Sequence, residues 1–248
     1  MKRLIVSASS RIGLVRSKNE DMILVADKKI RDDRYSIEMD LSTVQRLSLA
    51  LADGMGGYNA GEVASAETLD NLSFFVNDLP EGLDSVRIQN LMNGWLESIN
   101  MIITSKGHEN ARLAQMGTTL VALVYYYGRL FLMNCGDSRL YRLRDGELEQ
   151  LTVDHSVNTL LGEKKHHYML INNIGGGCRT PYFDFVELSS DVRPHDIYML
   201  CSDGLNDMVP DHDIRCILTD GGDADRLCDA AIEAGGCDNV SVCVITVL

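Results

Sequence analysis

The chain has no long apolar run. Its longest such stretch, Leu120 to Tyr127, stops at Gly128-Arg129, far short of the ~20 residues that a membrane-spanning helix needs. No segment near the start has the long apolar centre of a secretory leader. Basic excess is missing too: 23 Lys and Arg stand against 36 Asp and Glu, a net charge of −13. That balance argues against a general binder of nucleic acid or of anionic membrane. Seven cysteines form no CxxC pair, so neither a structural zinc site nor a disulfide framework is expected. Reduced thiols in a cytoplasmic protein fit best. Internal repeats, low-complexity tracts and clear linkers are also absent, and one domain over residues 1–248 is the simplest reading.

What is present begins with Leu49-Ala50-Leu51-Ala52-Asp53-Gly54-Met55-Gly56-Gly57. An apolar run reads as a buried strand and ends in an acid. The glycines after it let other atoms approach the backbone closely. A carboxylate beside exposed main-chain carbonyls suits a hard cation such as Mg²⁺ or Mn²⁺. Taken alone, Asp-Gly is equally a turn pair.

Strands are expected at Lys2–Ala8, Met22–Ala26, Leu47–Ala52, Thr118–Tyr127, Leu130–Asn134, Ser138–Leu143, Phe183–Leu188, Asp196–Cys201 and Asn239–Leu248. Between them, Asp27–Arg46 reads as a loop or surface hairpin and Asp203–Pro210 as a turn. Two helices follow Asp53. Asn59 and Glu62 have capping-box spacing at the first. The second, from about Ser85 to Ser105, carries an apolar stripe that includes Trp95 and reads as core. Further helices are expected at Asp211–Leu218 and Asp223–Ala234. Strands in runs and helices in pairs give an α+β sandwich rather than a parallel sheet.

Acids recur at the strand ends. Asp203-Gly204 follows Tyr198–Ser202, Asp137 lies between two strands, Asp238 precedes the last strand, and Glu20-Asp21 precedes the second. Each alone has the ordinary reading of a turn residue. Gathered at one sheet edge, they would repel one another unless cations offset the charge. Two cations about 3.5–4 Å apart can hold and deprotonate a bridging water and draw charge off a phosphoryl oxygen. Arg16, four residues before Glu20, has the fork that grips two phosphate oxygens; alone it reads as a solvated loop charge.

The ordered set Gly13-x-Val15-Arg16-x-x-Asn19-Glu20-Asp21, Ala52–Gly57, Gly61–Ala64, Gly117–Thr119, Asn134–Arg139, Leu151-Thr152-x-Asp154-His155-Ser156, Cys201–Leu205 and Asp238–Ser241 resembles the metal-dependent (PPM or type 2C) serine/threonine protein phosphatases, the bacterial branch most of all. The resemblance implies a four-layer αββα sandwich of two antiparallel sheets flanked by helices. It implies two divalent cations, Mn²⁺ or Mg²⁺, with Asp53 bridging both, Glu20 and the Gly54 carbonyl on one, and Asp203 and Asp238 on the other. Asp137 and Asp207 match the acids of a weaker third metal site. Arg16 matches the phosphate-binding arginine, and Asp21 an acid that supports the metal-bound waters. The implied reaction is direct attack of a metal-bridging hydroxide on phosphoserine or phosphothreonine, with no phosphoenzyme. The implied partners are phosphorylated proteins, a serine/threonine kinase or its targets among them, with neither nucleic acid nor membrane.

Three departures from the family pattern stand out. Met55 occupies the position where many eukaryotic members have a histidine that can act as a general acid. The flap segment, around 157–177, is short; its His166-His167 pair reads as solvated loop. At this size, no regulatory or membrane domain is expected beside the catalytic one. The other reading is a non-catalytic relative that binds phosphoproteins as an adaptor; Glu20, Asp53, Asp203 and Asp238 all being present argues against it.

Overall fold

The computed structural model describes residues 3–56, 60–162 and 169–248. Elements run in the order β1 (Arg3–Arg11), β2 (Met22–Val25), β3 (Lys28–Ile30), β4 (Arg34–Asp40), β5 (Arg46–Ala52), β6 (Gly54–Met55), α1 (Gly61–Asp78), α2 (Ser85–Glu109), β7 (Gly117–Thr118), β8 (Leu120–Tyr126), β9 (Arg129–Cys135), β10 (Arg139–Arg144), β11 (Glu147–Gln150), α3 (Val157–Leu161), β12 (Ile174–Gly175), β13 (Asp184–Glu187), β14 (Ile197–Cys201), α4 (Asp203–Asn206), α5 (Asp211–Thr219), α6 (Ala224–Glu233) and β15 (Val240–Val247). Two six-stranded antiparallel sheets are present among the described residues, ordered β11-β10-β14-β15-β1-β4 and β13-β9-β8-β5-β2-β3, with a small β12-β7-β6 sheet beside them.

Side-chain alternation builds three core layers. Along β8, Leu120, Ala122, Val124 and Tyr126 face one way, and Val121, Leu123 and Tyr125 the other. The first set meets Leu69, Leu72 and Val76 of α1 and Ile88, Met92, Trp95 and Ile99 of α2. The second set meets β1, β14 and β15 through Val6, Leu200, Cys243 and Ile245, in the layer between the sheets. On the far side, Met199, Val240, Val242 and Val244 meet Ile214 and Leu218 of α5 and Leu227 and Ala231 of α6. The period of two sends alternate residues of one strand to opposite layers, which is the αββα sandwich.

Three local expectations change. Residues 27–46 are not a loop: β3 closes a hairpin on β2, and β4 crosses to pair with β1 in the other sheet. Its exposed, polar face hides it from a hydrophobic reading. The turn after Asp203 contains a helix, α4. Asn59 lies outside the described residues, and so do His166 and His167. The residue before α1 is Ala60, without a side-chain cap, and Glu62 bonds Lys18 (2.5 Å) rather than its own helix start.

Candidate active site

Register brings the acids together. Met22 pairs with Ala52, so Asp21 and Asp53 leave neighbouring strand ends. Leu120 pairs with Cys135, Arg139 with Cys201, and Cys201 with Val242. The links carrying Asp137, Asp203 and Asp238 therefore open at the same end of the sandwich.

Asp53 is fixed through its backbone. Its N–H donates to Thr119 Oγ1 (3.0 Å), and its carbonyl accepts from Thr119 N (2.9 Å) and Thr118 Oγ1 (2.9 Å). The Gly-Thr-Thr motif is thus the clamp on the acid. Gly54 has a steric reason: a Cβ there would lie 2.2 Å from the Gly61 carbonyl oxygen and 2.5 Å from that of Glu20. Strand end and helix start touch main chain to main chain, as only glycines permit.

That contact delivers α1's N-terminus to Glu20. Gly61 N–H donates to Glu20 Oε1 (3.1 Å), so a carboxylate 41 positions earlier caps the helix. Burial raises the Glu20 carboxyl, and this hydrogen bond opposes the rise. Asn239 holds the loop before it: Oδ1 accepts Glu20 N–H (2.9 Å), and Nδ2 donates to the carbonyls of Ile12 and Lys18 (2.9 Å each). Arg16 stands on that loop. Its Nε and Nη2 grip the two oxygens of Asp238 at 2.8 and 2.6 Å.

Burial, then like charge, dominates the remaining acids. Burial pushes the Asp53 carboxyl well above its usual range, followed by Asp21, Asp203, Asp137 and Asp238. Asp203 is pushed well up by burial, then by Asp137, Asp238 and Asp207. Burial takes Asp137 and Asp21 each to about 6. Asp21 accepts from Ser202 Oγ (2.8 Å).

These residues line a cavity of about 530 Å³, with Arg16, Glu20, Asp53, Asp137, Asp203, Asp207 and Asp238 in its wall. Gly54 and Met55 line it too, while no histidine among the described residues does. Asp21 lies behind the wall, buried. The structure thus brings together every site residue named from the sequence. Among the described residues, no three His, Cys, Asp or Glu side chains already stand in a metal-holding arrangement: Asp238 is turned to Arg16, Asp21 to Ser202 and Glu20 to Gly61. In kind, the donors fit hard cations, being all oxygen, and the buried like charges are what divalent cations would relieve. Sequence reasoning missed Ser202 and Arg31. Arg31 binds the Asp21 carbonyl (2.7 Å), the Glu62 carbonyl (3.0 Å) and Ser65 Oγ (2.8 Å). Ser202 directly precedes Asp203 in a quoted motif; Arg31 carries no local signal.

A family model described as protein phosphatase 2C matches residues 25–220. The chain belongs to the protein phosphatase 2C family. It is 34% identical over 256 residues to the serine/threonine protein phosphatase PstP of Mycobacterium tuberculosis, over 98% of this chain and 45% of PstP. It is 34% identical over 210 residues to the serine/threonine phosphatase stp of Listeria monocytogenes, over 79% of this chain and 82% of stp. The chain thus spans about half the length of PstP. Among solved structures, the S. agalactiae serine/threonine phosphatase superposes with a TM-score of 0.83 at 26% identity, covering 99% of this chain and 100% of that one. The catalytic domain of PstP in complex with 2 manganese ions superposes at 0.74 with 33% identity, covering 98% of both.

Proposed function

We propose that the chain is a protein serine/threonine phosphatase that hydrolyses phosphoserine and phosphothreonine with two divalent cations, Mn²⁺ or Mg²⁺. The observation that carries this reading is the convergence of Glu20, Asp53, Asp203 and Asp238 on one cavity with Arg16 in its wall. Asp53 would bridge the cations, Glu20 and the Gly54 carbonyl would serve one, and Asp203 and Asp238 the other. Asp137 and Asp207 would hold a weaker third. The PstP domain with 2 manganese ions, at 33% identity, supports this cofactor. When bound, such a pair supplies a water activated as hydroxide for direct attack on phosphorus.

The chain's own residues do the rest. Arg16 already holds two carboxylate oxygens in a fork, the geometry that grips a phosphoryl group. Thr118 and Thr119 keep Asp53 from shifting. Ser202 orients Asp21 behind the wall, where it would support the metal-bound waters. With Met55 at the wall, the leaving alkoxide takes its proton from water or from another group. The proposed unit is the whole chain, 1–248, with a shortened flap around 157–177. Its proposed substrates are phosphorylated proteins, a serine/threonine kinase or its targets among them, and its proposed setting is the cytoplasm. No helix among the described residues is long and apolar enough to cross a membrane.

The test is phosphate release from a phosphothreonine peptide with Mn²⁺, Mg²⁺ or chelator. Metal-dependent release, lost in Asp53→Asn, is expected. Folded, metal-loaded protein that releases no phosphate from a panel of phosphopeptides would refute the reading and favour an adaptor.

A further inference from the structure

His155 is buried, with its side chain 5% exposed, and it lies outside the cavity wall. Its Nδ1 faces two donors, Gly136 N–H at 3.1 Å and Asn172 Nδ2 at 2.8 Å. The amide of Asn172 is oriented by two further bonds: its Oδ1 accepts Tyr182 N–H (3.1 Å) and its Nδ2 donates to the Tyr182 carbonyl (2.8 Å). An NH₂ group therefore faces the imidazole, and Nδ1 has to accept. The ring proton then sits on Nε2, which donates to Asp184 Oδ2 at 3.0 Å. The Tyr182 ring covers the imidazole, with centroids 4.7 Å apart. Asp184, Asn172 and Tyr182 thus fix both tautomer and plane, as a carboxylate partner commonly does for histidine.

The purpose of so fixed a ring is visible in what it holds. Gly136 is bonded to His155 twice: its N–H by the imidazole, and its carbonyl by the His155 N–H (3.0 Å). Gly136 has φ +127°, and a Cβ there would meet Thr119 Cβ at 2.6 Å. It sits directly before Asp137, whose charge acts on both Asp53 and Asp203. On its other side, the His155 carbonyl accepts Ile171 N–H (2.9 Å), and Ser156 pairs with Leu170, a residue of the cavity wall. One residue therefore joins the Asp137 turn to the Ser156–Leu170 bridge at the cavity wall.

We propose that His155 is a positioning residue for the phosphatase reaction, setting the turn that delivers Asp137 to the cavity and coupling it to Leu170 in the cavity wall. This rests on the phosphatase reading. His155→Phe removes the acceptor and leaves the Gly136 N–H buried without a partner. His155→Asn can keep an acceptor oxygen near the Nδ1 position while losing the bond to Asp184. Asp184→Ala, at a half-exposed position, removes the partner of Nε2 and loosens the orientation of the ring without opening the core.

The experiment measures kcat and KM of each variant on p-nitrophenyl phosphate with saturating Mn²⁺, the thermal midpoint, and the ¹⁵N shifts of the imidazole nitrogens. In His155→Phe, kcat is expected to fall ~10–100-fold, the usual loss when a group supporting a metal site is removed, with KM little changed. His155→Asn recovers most of it, and Asp184→Ala falls between. The shifts of the wild-type protein report the Nε2–H tautomer. Folded His155→Phe with wild-type kcat, His155→Asn as slow as His155→Phe, or an Nδ1–H tautomer would overturn the proposal. Where His155→Phe does not fold, wild-type kcat in Asp184→Ala overturns it. Wild-type protein inert on every substrate would instead sink the phosphatase reading, leaving the tautomer to be judged from the shifts.

Discussion

Asp53 illustrates at the scale of one residue how function works against stability. Its carboxyl is buried among four other acids that all disfavour its charge. Replacing it with Asn keeps the shape and removes the charge. Turnover in Asp53→Asn is expected to drop by at least ~10²–10³-fold, the scale for losing one preorganised electrostatic contact. The chelated variant should unfold at a higher temperature than the chelated wild type, because a costly buried charge is gone. Side-by-side melting curves and phosphate-release assays check both halves, and a lower midpoint would mean that Asp53 is structural. Arg16 makes a second point. Its fork holds both oxygens of Asp238, which a lysine cannot match. Arg16→Lys is expected to keep the charge yet lower kcat/KM by roughly tenfold or more, since a bidentate grip becomes a point contact. Equal steady-state parameters in the two proteins would remove Arg16 from phosphate binding.

Elements were legible in the sequence wherever a single period governed them. β5 was readable because Leu49 and Leu51 belong to the layer between the sheets while Ala50 and Ala52 lie under the helices. Its small alanines let α1 pack close, and Leu51 is wholly buried. Leu51→Ala is expected to cost ~2–5 kcal/mol in denaturant unfolding; a loss under 1 kcal/mol would show that the central layer closes over the gap. The acids at the strand ends were legible for the same reason, since each flanks a clear apolar run. β4 was not: Tyr35, Ile37 and Met39 do alternate toward the layer between the sheets, but the intervening Arg34, Ser36, Glu38 and Asp40 face outward on an edge strand and mask that period in a charged stretch. The cap of α1 was not legible either, because it comes from Glu20 through a tertiary contact. The start of α2 is anchored in the same long-range way: Glu187 of β13 accepts from Ser85 Oγ (2.6 Å) and from Arg129 Nε (3.0 Å). The Arg129 guanidinium, then Ser85, holds the Glu187 carboxyl down at about 2. A depressed carboxyl contributes stability above its unfolded value and loses it as pH falls towards 2. Partial exposure limits the effect to under about 1 kcal/mol. Glu187→Gln should therefore be slightly less stable than wild type at pH 7, and the gap should close between about pH 4.5 and 2. A gap that stays constant with pH would assign it to packing instead.

Across the whole molecule, a net charge of −13 and a cavity of buried acids make protons and cations rivals for the same oxygens. Asp21 and Asp137 each rise from 3.8 to about 6 on folding, chiefly through burial. The sign follows from proton counting. Between about pH 4 and 6, the folded chain binds these protons more tightly than the unfolded chain does, so stability falls as pH rises through that window. Above about 6 the cost is fully present, and it is there that divalent cations have most to relieve. Binding of a cation to the folded form alone adds stability as the logarithm of its concentration over Kd, and bound protons weaken that binding. The metal-free protein, in chelator, should thus melt at a higher temperature at pH 5 than at pH 7. Adding Mn²⁺ should raise the midpoint more at pH 7 than at pH 5. Acids with lowered carboxyls, Glu187 and Asp225 among them, act below this window. A chelated midpoint that climbs from pH 5 to 7, together with a Mn²⁺ shift that does not change with pH, would show that the cavity acids are ionised without strain and that cations do not bind among them.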